Sequence, residues 1–139
     1  RRRRRRSSQL MLRLFLSSNL KEKPRFEKTS YTIWARVVSV YDGDTFTVAF
    51  CSKGKIYRRN CRCKGYDSPE MRGDDKEAAI AARDFLQSLL PKRIFRLQVC
   101  GLDKYGRLLV DVKINKIPLC DIMVLNNHGY YYNGGKKQE

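Results

Sequence analysis

The stretch Ile33-Trp34-Ala35-Arg36-Val37-Val38-Ser39-Val40-Tyr41-Asp42-Gly43-Asp44-Thr45-Phe46-Thr47-Val48-Ala49-Phe50 decides the fold class. Residues 33–40 and 44–50 alternate and are rich in β-branched and aromatic types, the period-two pattern of half-buried strands. Between them Asp42-Gly43 tolerates the dihedrals of a tight reversal, so the two runs read as a hairpin. Lys53-Gly54 marks a second turn, and a third strand is expected from about Lys55 to Cys63. Three consecutive strands joined by short turns form a meander.

Working outward, the period of two puts Cys61 and Cys63 on one face of the third strand and Arg62 on the other. The thiols then face the core and Arg62 faces a cleft, although a solvent-exposed arginine on a strand accounts for Arg62 equally simply. From Asp75 the pattern turns helical. Asp74 is the expected cap with Glu77 three residues on, and Ala78, Ala81, Ala82, Phe85, Leu86 and Leu89 recur at helical spacing before Pro91 stops the element. Residues 93–100 and 106–114 read as two more strands about a turn at 103–106. Pro118 opens a second helix, with Leu119, Ile122 and Met123 inward and Gly129 as its C-terminal cap. Five strands and two helices in this order fit a small closed barrel, an α+β or mainly-β fold.

The 139 residues make one domain, 31–139, with an appendage, residues 1–30. The 42% hydrophobic content suffices for a modest core, and 30 basic against 14 acidic residues leave a net charge of +16. Residues 1–30 carry +9 of it and residues 31–139 carry +7, so the globular part is basic in its own right. A polyanion is the expected partner. Residues 1–6, all arginine, read as a disordered block drawn to polyanions, and residues 1–20 as a nuclear or nucleic-acid-binding arm, an organelle transit peptide or a secretory signal, in that order. Because the chain starts at arginine, a processed form or a fragment is expected. No run approaches the roughly 20 apolar residues of a membrane span. Five cysteines cannot all pair with one another and lack Cys-x-x-Cys spacing, so they read as reduced thiols, suited to a reducing compartment, rather than as a zinc site.

The chemistry concentrates in Cys61-Arg62-Cys63-Lys64-Gly65-Tyr66-Asp67-Ser68-Pro69-Glu70. A guanidinium grips phosphate oxygens through paired donors, while two carboxylates offer the hard oxygens that calcium prefers. Pro69 stiffens the spacing between Asp67 and Glu70. A strand ending in a polar loop explains this run taken alone. Two further runs stand beside it, Tyr41-Asp42-Gly43-Asp44-Thr45-Phe46 upstream and Asp103-Lys104-Tyr105-Gly106-Arg107-Leu108 downstream. In this order the three resemble the staphylococcal nuclease (thermonuclease) family: an Asp-Gly-Asp-Thr hairpin, an arginine five residues before Asp-Ser/Thr-Pro-Glu, then Asp-x-Tyr-Gly-Arg. The resemblance covers residues from about 33 to 132.

That resemblance implies a five-stranded OB-fold barrel with two or three packed helices. It implies a calcium-dependent phosphodiesterase that cuts DNA and RNA with little sequence specificity, leaving 3′-phosphates. One Ca²⁺ would be held by Asp44, Asp67 and the backbone carbonyl of Ser68, with Glu70 reaching it through water. Ligand type favours Ca²⁺ over Zn²⁺ and leaves Mg²⁺ and Mn²⁺ open. Arg62 and Arg107 match the two catalytic arginines, Glu70 the general base, and Lys104 and Tyr105 the contacts to a terminal phosphate. Asp103 and Asp42 read as turn residues and His128 as structural. Tyr130, Tyr131 and Tyr132 either stack on bases or pack against the barrel.

Two other readings compete with the nuclease. A noncatalytic OB barrel that binds single strands needs no acids in its groove, and Asp44, Asp67 and Glu70 are all present. A polybasic membrane-surface protein rests on residues 1–16 alone. A monomer acting on DNA and RNA, single strands preferred, is the expectation.

Overall fold

The computed structural model describes residues 30–132. Of the expected arm and linker, residues 1–30, all but residue 30 lie outside the described residues. The meander forms as read: β1 (Tyr31–Val40) and β2 (Thr45–Ser52) flank the Asp42-Gly43 turn, and β3 spans Lys55–Cys63. All three pair antiparallel in sequence order, with Val37 opposite Val48 and Phe46 opposite Cys61. A two-residue strand β4 (Tyr66–Asp67) follows, then helix α1 (Lys76–Leu89).

The later strands complete the wall. β5 (Phe95–Leu102) returns beside β1, with Ile33 opposite Leu97, and β6 (Leu108–Asp111) pairs with β5. A parallel contact of β3 with β6, Cys61 opposite Leu108, closes the sheet in the order β1-β2-β3-β6-β5. Closure leaves the five strands without a free edge, the property that makes a small barrel self-sufficient. Short strands β7 (Lys113–Ile114) and β8 (Ile117–Pro118) lead into α2 (Leu119–Leu125), and β9 (Tyr130–Tyr131) pairs with β4. With two helices among the described residues, this is an α+β, OB-like barrel. No helix among the described residues is long and apolar enough to cross a membrane.

Alternation fills the interior. Phe46 and Val48 of β2, Cys61 and Cys63 of β3, and Val99 and Val110 of β5 and β6 are buried, while their strand neighbours are more exposed. Both thiols face the core as the period of two requires. Helix α1 lays Ala79, Ala82 and Leu86 against the barrel. Ala81, expected on that face, points outward, because a shift of one residue turns a helical side chain by about 100°.

Two further local readings need correction. The cap of α1 is Asp75, not Asp74, and its carboxylate accepts from the Ala78 N–H at 3.0 Å. Helix α2 ends with Asn126 as cap and Asn127 at φ 61°. Asparagine fills the left-handed position that had been expected of Gly129. Gly129 is required elsewhere, since a Cβ there would lie 2.8 Å from the Asp67 carbonyl oxygen and push β9 off β4. His128 stacks on Phe85 with ring centroids 4.7 Å apart, the structural role expected of it.

Gly43 locks three elements together. A Cβ on it would lie 2.7 Å from both the Ala82 and the Ser68 Cβ atoms, so the β1–β2 turn, α1 and the loop after β4 meet where only hydrogen fits. Gly43→Ala is expected to cost about 1–3 kcal/mol, the range of overpacked cores. Urea unfolding measures it, and an unchanged midpoint would show that these elements separate freely.

Candidate active site cleft

The ends of β2, β3 and β6, the loop after β4 and the turn at 103–107 enclose a cleft of about 980 Å³. Asp44, Arg62, Asp67, Glu70, Lys104, Tyr105 and Arg107 all line it, though more than 60 residues separate the first from the last. Ser68, the remaining site candidate, is buried beside the cleft and does not line it.

Arg62 sits at the centre because it is the outward residue at the last turn of β3 before the chain reverses. One terminal nitrogen donates to the Cys63 and Tyr66 carbonyls at 3.0 and 2.9 Å and lies 3.2 Å from Asp44 Oδ2. The other donates to Asp67 Oδ1 at 3.2 Å. The guanidinium thus ties the hairpin turn to β4. Asp44 is itself fully engaged, with Oδ1 accepting from the Thr45 hydroxyl at 2.9 Å and Oδ2 from the Ser68 N–H at 2.9 Å.

The second arginine is held by its turn. Asp103 accepts from the Tyr105 and Arg107 N–H groups, each at 2.9 Å, and from Arg107 Nε at 2.6 Å. It therefore does the turn-holding work read for it. The far end of Arg107 reaches the Thr45 hydroxyl oxygen at 3.4 Å. Its guanidinium lies 5.4 Å from the Tyr105 ring centroid, and the Lys104 ammonium lies 5.1 Å from the same ring. Lys104 and Tyr105 are exposed at the rim. Glu70 is also exposed, and no hydrogen bond or ion pair joins its carboxylate to another described residue.

Two residues escaped sequence reasoning. Thr45 links Asp44 to Arg107, and Tyr66, wholly buried, donates its hydroxyl to the Gly43 carbonyl at 2.6 Å. Both lie inside the quoted motifs, so their position was visible, but their partners are set by the closed barrel. Tyr132 lines the cleft, and Tyr131 instead donates to Asp121 at 2.7 Å.

Charge is unevenly shared. Burial alone would raise Asp44, but the Arg62 charge and hydrogen bonds from its neighbours hold its carboxyl below the usual range. Asp42, whose Oδ1 accepts from the Asp44 N–H at 3.1 Å, is pushed up to about 7 by burial and by the Asp44 charge. Burial likewise opposes ionisation of Asp103, yet the Arg107 contacts win and lower it. The Cys61 and Cys63 thiols are pushed up by burial, which leaves them unreactive.

Among the described residues, no group of three or more His, Cys, Asp or Glu side chains converges where it could hold a metal ion. Any ion in the cleft must therefore draw on backbone carbonyls, water or substrate oxygens as well as on the carboxylates. No protein-family model matches the chain, and no curated protein matches it.

The raised Asp42 carries a pH signature. In the folded chain it stays protonated up to about pH 7, whereas the unfolded chain ionises it near 3.8. Its contribution to stability is whole below about pH 4 and is lost as the pH rises towards 7. In chelator, Asp42→Asn is expected to exceed the parent in stability at pH 8 by about 1 kcal/mol or more, with the gap closing towards pH 4. Urea unfolding at the two pH values checks this, and an equal gap at both would refute it.

Proposed function

We propose that the chain is a phosphodiesterase of the staphylococcal nuclease family, cutting DNA and RNA with calcium, single strands preferred, and leaving 3′-phosphates. The observation that carries this reading is the convergence of Arg62 and Arg107, each anchored by an aspartate, on one cleft with an exposed glutamate on its wall. Hydrolysis of a phosphodiester builds negative charge on the phosphoryl oxygens. Donors fixed beforehand stabilise that charge without reorganising during the reaction.

The donor set suits a hard dication. Asp44 and Asp67 share one guanidinium, and Asp42 beside Asp44 is raised by burial first and by the Asp44 charge second. Asp44, Asp67 and the Ser68 carbonyl would hold one calcium ion. Bound there, it supplies charge stabilisation to phosphate oxygens and orients water. Arg62 and Arg107 grip the phosphate, Lys104 and Tyr105 steady a terminal phosphate at the rim, and Glu70 accepts or directs the proton of the attacking water.

A noncatalytic single-strand-binding barrel is the second reading. It is favoured by the lack of three converging acidic side chains among the described residues. Digestion of single-stranded DNA separates the two. With calcium the parent is expected to cut, with chelator it is not, and Glu70→Gln is expected to lose about 100- to 10,000-fold in rate. Arg107→Ala should lose on the order of 100- to 1000-fold. DNA that is bound but uncut under every condition would replace the nuclease with the binding module.

A further inference from the structure

Strands β1 and β3 carry basic residues, and neither they nor β2 holds an acid. Residues 31–41 and 45–63 hold Arg36, Lys53, Lys55, Arg58, Arg59 and Arg62 without one Asp or Glu. Two of these arginines share a row on the outer wall. Arg36 of β1 lies opposite Ala49 of β2, which lies opposite Arg58 of β3. Arg36 and Arg58 are exposed, and no ion pair joins either to another described residue. Two strand spacings set them about 10 Å apart, with a methyl side chain between them.

This row is continuous with the cleft. On β3 the outward positions run Arg62, Asn60, Arg58, and on β2 Thr45, Thr47, Ala49, cross-paired in that order. Thr47 donates its hydroxyl to Asn60 Oδ1 at 2.8 Å, so the step between cleft and row is uncharged and polar. Four residues of strand put Arg58 about 13 Å from Arg62. Beyond Arg36, two residues back along β1, stands Trp34, 41% exposed, opposite Arg96 of β5. The Arg96 guanidinium lies 6.0 Å from the indole centroid.

We infer that the outer face of β1, β2 and β3, from Asn60 across the Arg58–Ala49–Arg36 row to Trp34, is a docking track for single-stranded nucleic acid that leads the strand out of the cleft. The inference rests on the proposed function for the cleft's own occupant. Charge complementarity selects a polyanion, and the order of groups selects its form. Spaced arginines meet phosphates of one strand, and the indole at the end, 41% exposed beside the Arg96 guanidinium, offers an aromatic contact that an unpaired base can use. A duplex hides its base faces from such a ring.

The full chain in chelator, where nothing is cut, provides the test. Trp34 is the only tryptophan, so its emission reports on this face alone. Oligodeoxythymidylates of about 4 and about 16 nucleotides bracket the site sizes of one OB barrel. The longer strand is expected to quench Trp34 saturably, and the shorter, confined to the cleft, is not. In Arg36→Gln/Arg58→Gln the affinity of the longer strand, read by anisotropy, should fall on the order of tenfold. The slope of log K against log salt should flatten by about 0.7 per arginine. Cleavage of the short strand with calcium should match the parent.

Unchanged affinity and slope in the double variant, with Trp34 emission silent, would overturn the track while leaving the nuclease untouched. The opposite result, a working track on a chain that cuts nothing, would remove the nuclease and keep the track. Quenching by anionic lipid vesicles but not by DNA would give the face to a membrane surface and overturn the inference.

Discussion

One guanidinium holds this cleft together. Arg62 reaches the Asp44 carboxylate in the first turn, the Asp67 carboxylate at the end of β4, and two carbonyls of its own reversal. With side chains only 12%, 7% and 13% exposed, these charges have little access to water. A buried charge that loses its partner costs about 3–5 kcal/mol. The three segments are thereby forced to one arrangement, which matters more for function than any net gain in stability. Against burial, the Arg62 charge and hydrogen bonds from its neighbours keep the Asp44 carboxyl depressed, and burial together with the Asp44 charge raises Asp42.

Beneath Arg62, packing performs a similar task without charge. Gly43 admits no side chain between Ala82 and Ser68, and its carbonyl accepts from the buried Tyr66 hydroxyl. The turn that presents Asp44 is thus fixed from behind by a helix and from the side by β4. Thr45 then joins the two halves, donating to Asp44 and standing 3.4 Å from Arg107. A displacement of the helix would be felt at the carboxylates through contacts that contain no charge.

What was legible in the sequence is what local physics determines. The span of β3, the Asp42-Gly43 reversal, the inward Cys61 and Cys63, and the turn-holding Asp103 depend on period, turn chemistry and short-range hydrogen bonds. Of the residues that the three separated motifs single out as site candidates, all but Ser68 line one cleft. Other features were set by competition. Asp74 and Asp75 are equally good caps by type, and the choice depends on which residue the packed face of α1 leaves at the first turn. Gly129 and Asn127 both tolerate unusual backbone, and the close approach of β9 to β4 gave Gly129 a different task. The parallel β3–β6 pairing and the roles of Thr45 and Tyr66 arise only when the barrel closes, since no local pattern encodes partners so far apart in the chain.

A net charge of +16 and a cluster of acids are compatible because they act over different ranges. At physiological salt the field of an exposed charge fades over about 8 Å. The carboxylates of the cleft therefore govern only what sits among them, and a strand lying on Arg58, about 13 Å from Arg62 along β3, scarcely feels them. The acid-free strands β1, β2 and β3 present a surface complementary to a polyanion, while in the cleft Arg62 and Arg107 are each paired with a carboxylate. On β3 itself only Arg62 meets the acids, which belong to other segments, and neutral Asn60, bonded to Thr47 of β2, stands between it and the exposed Arg58.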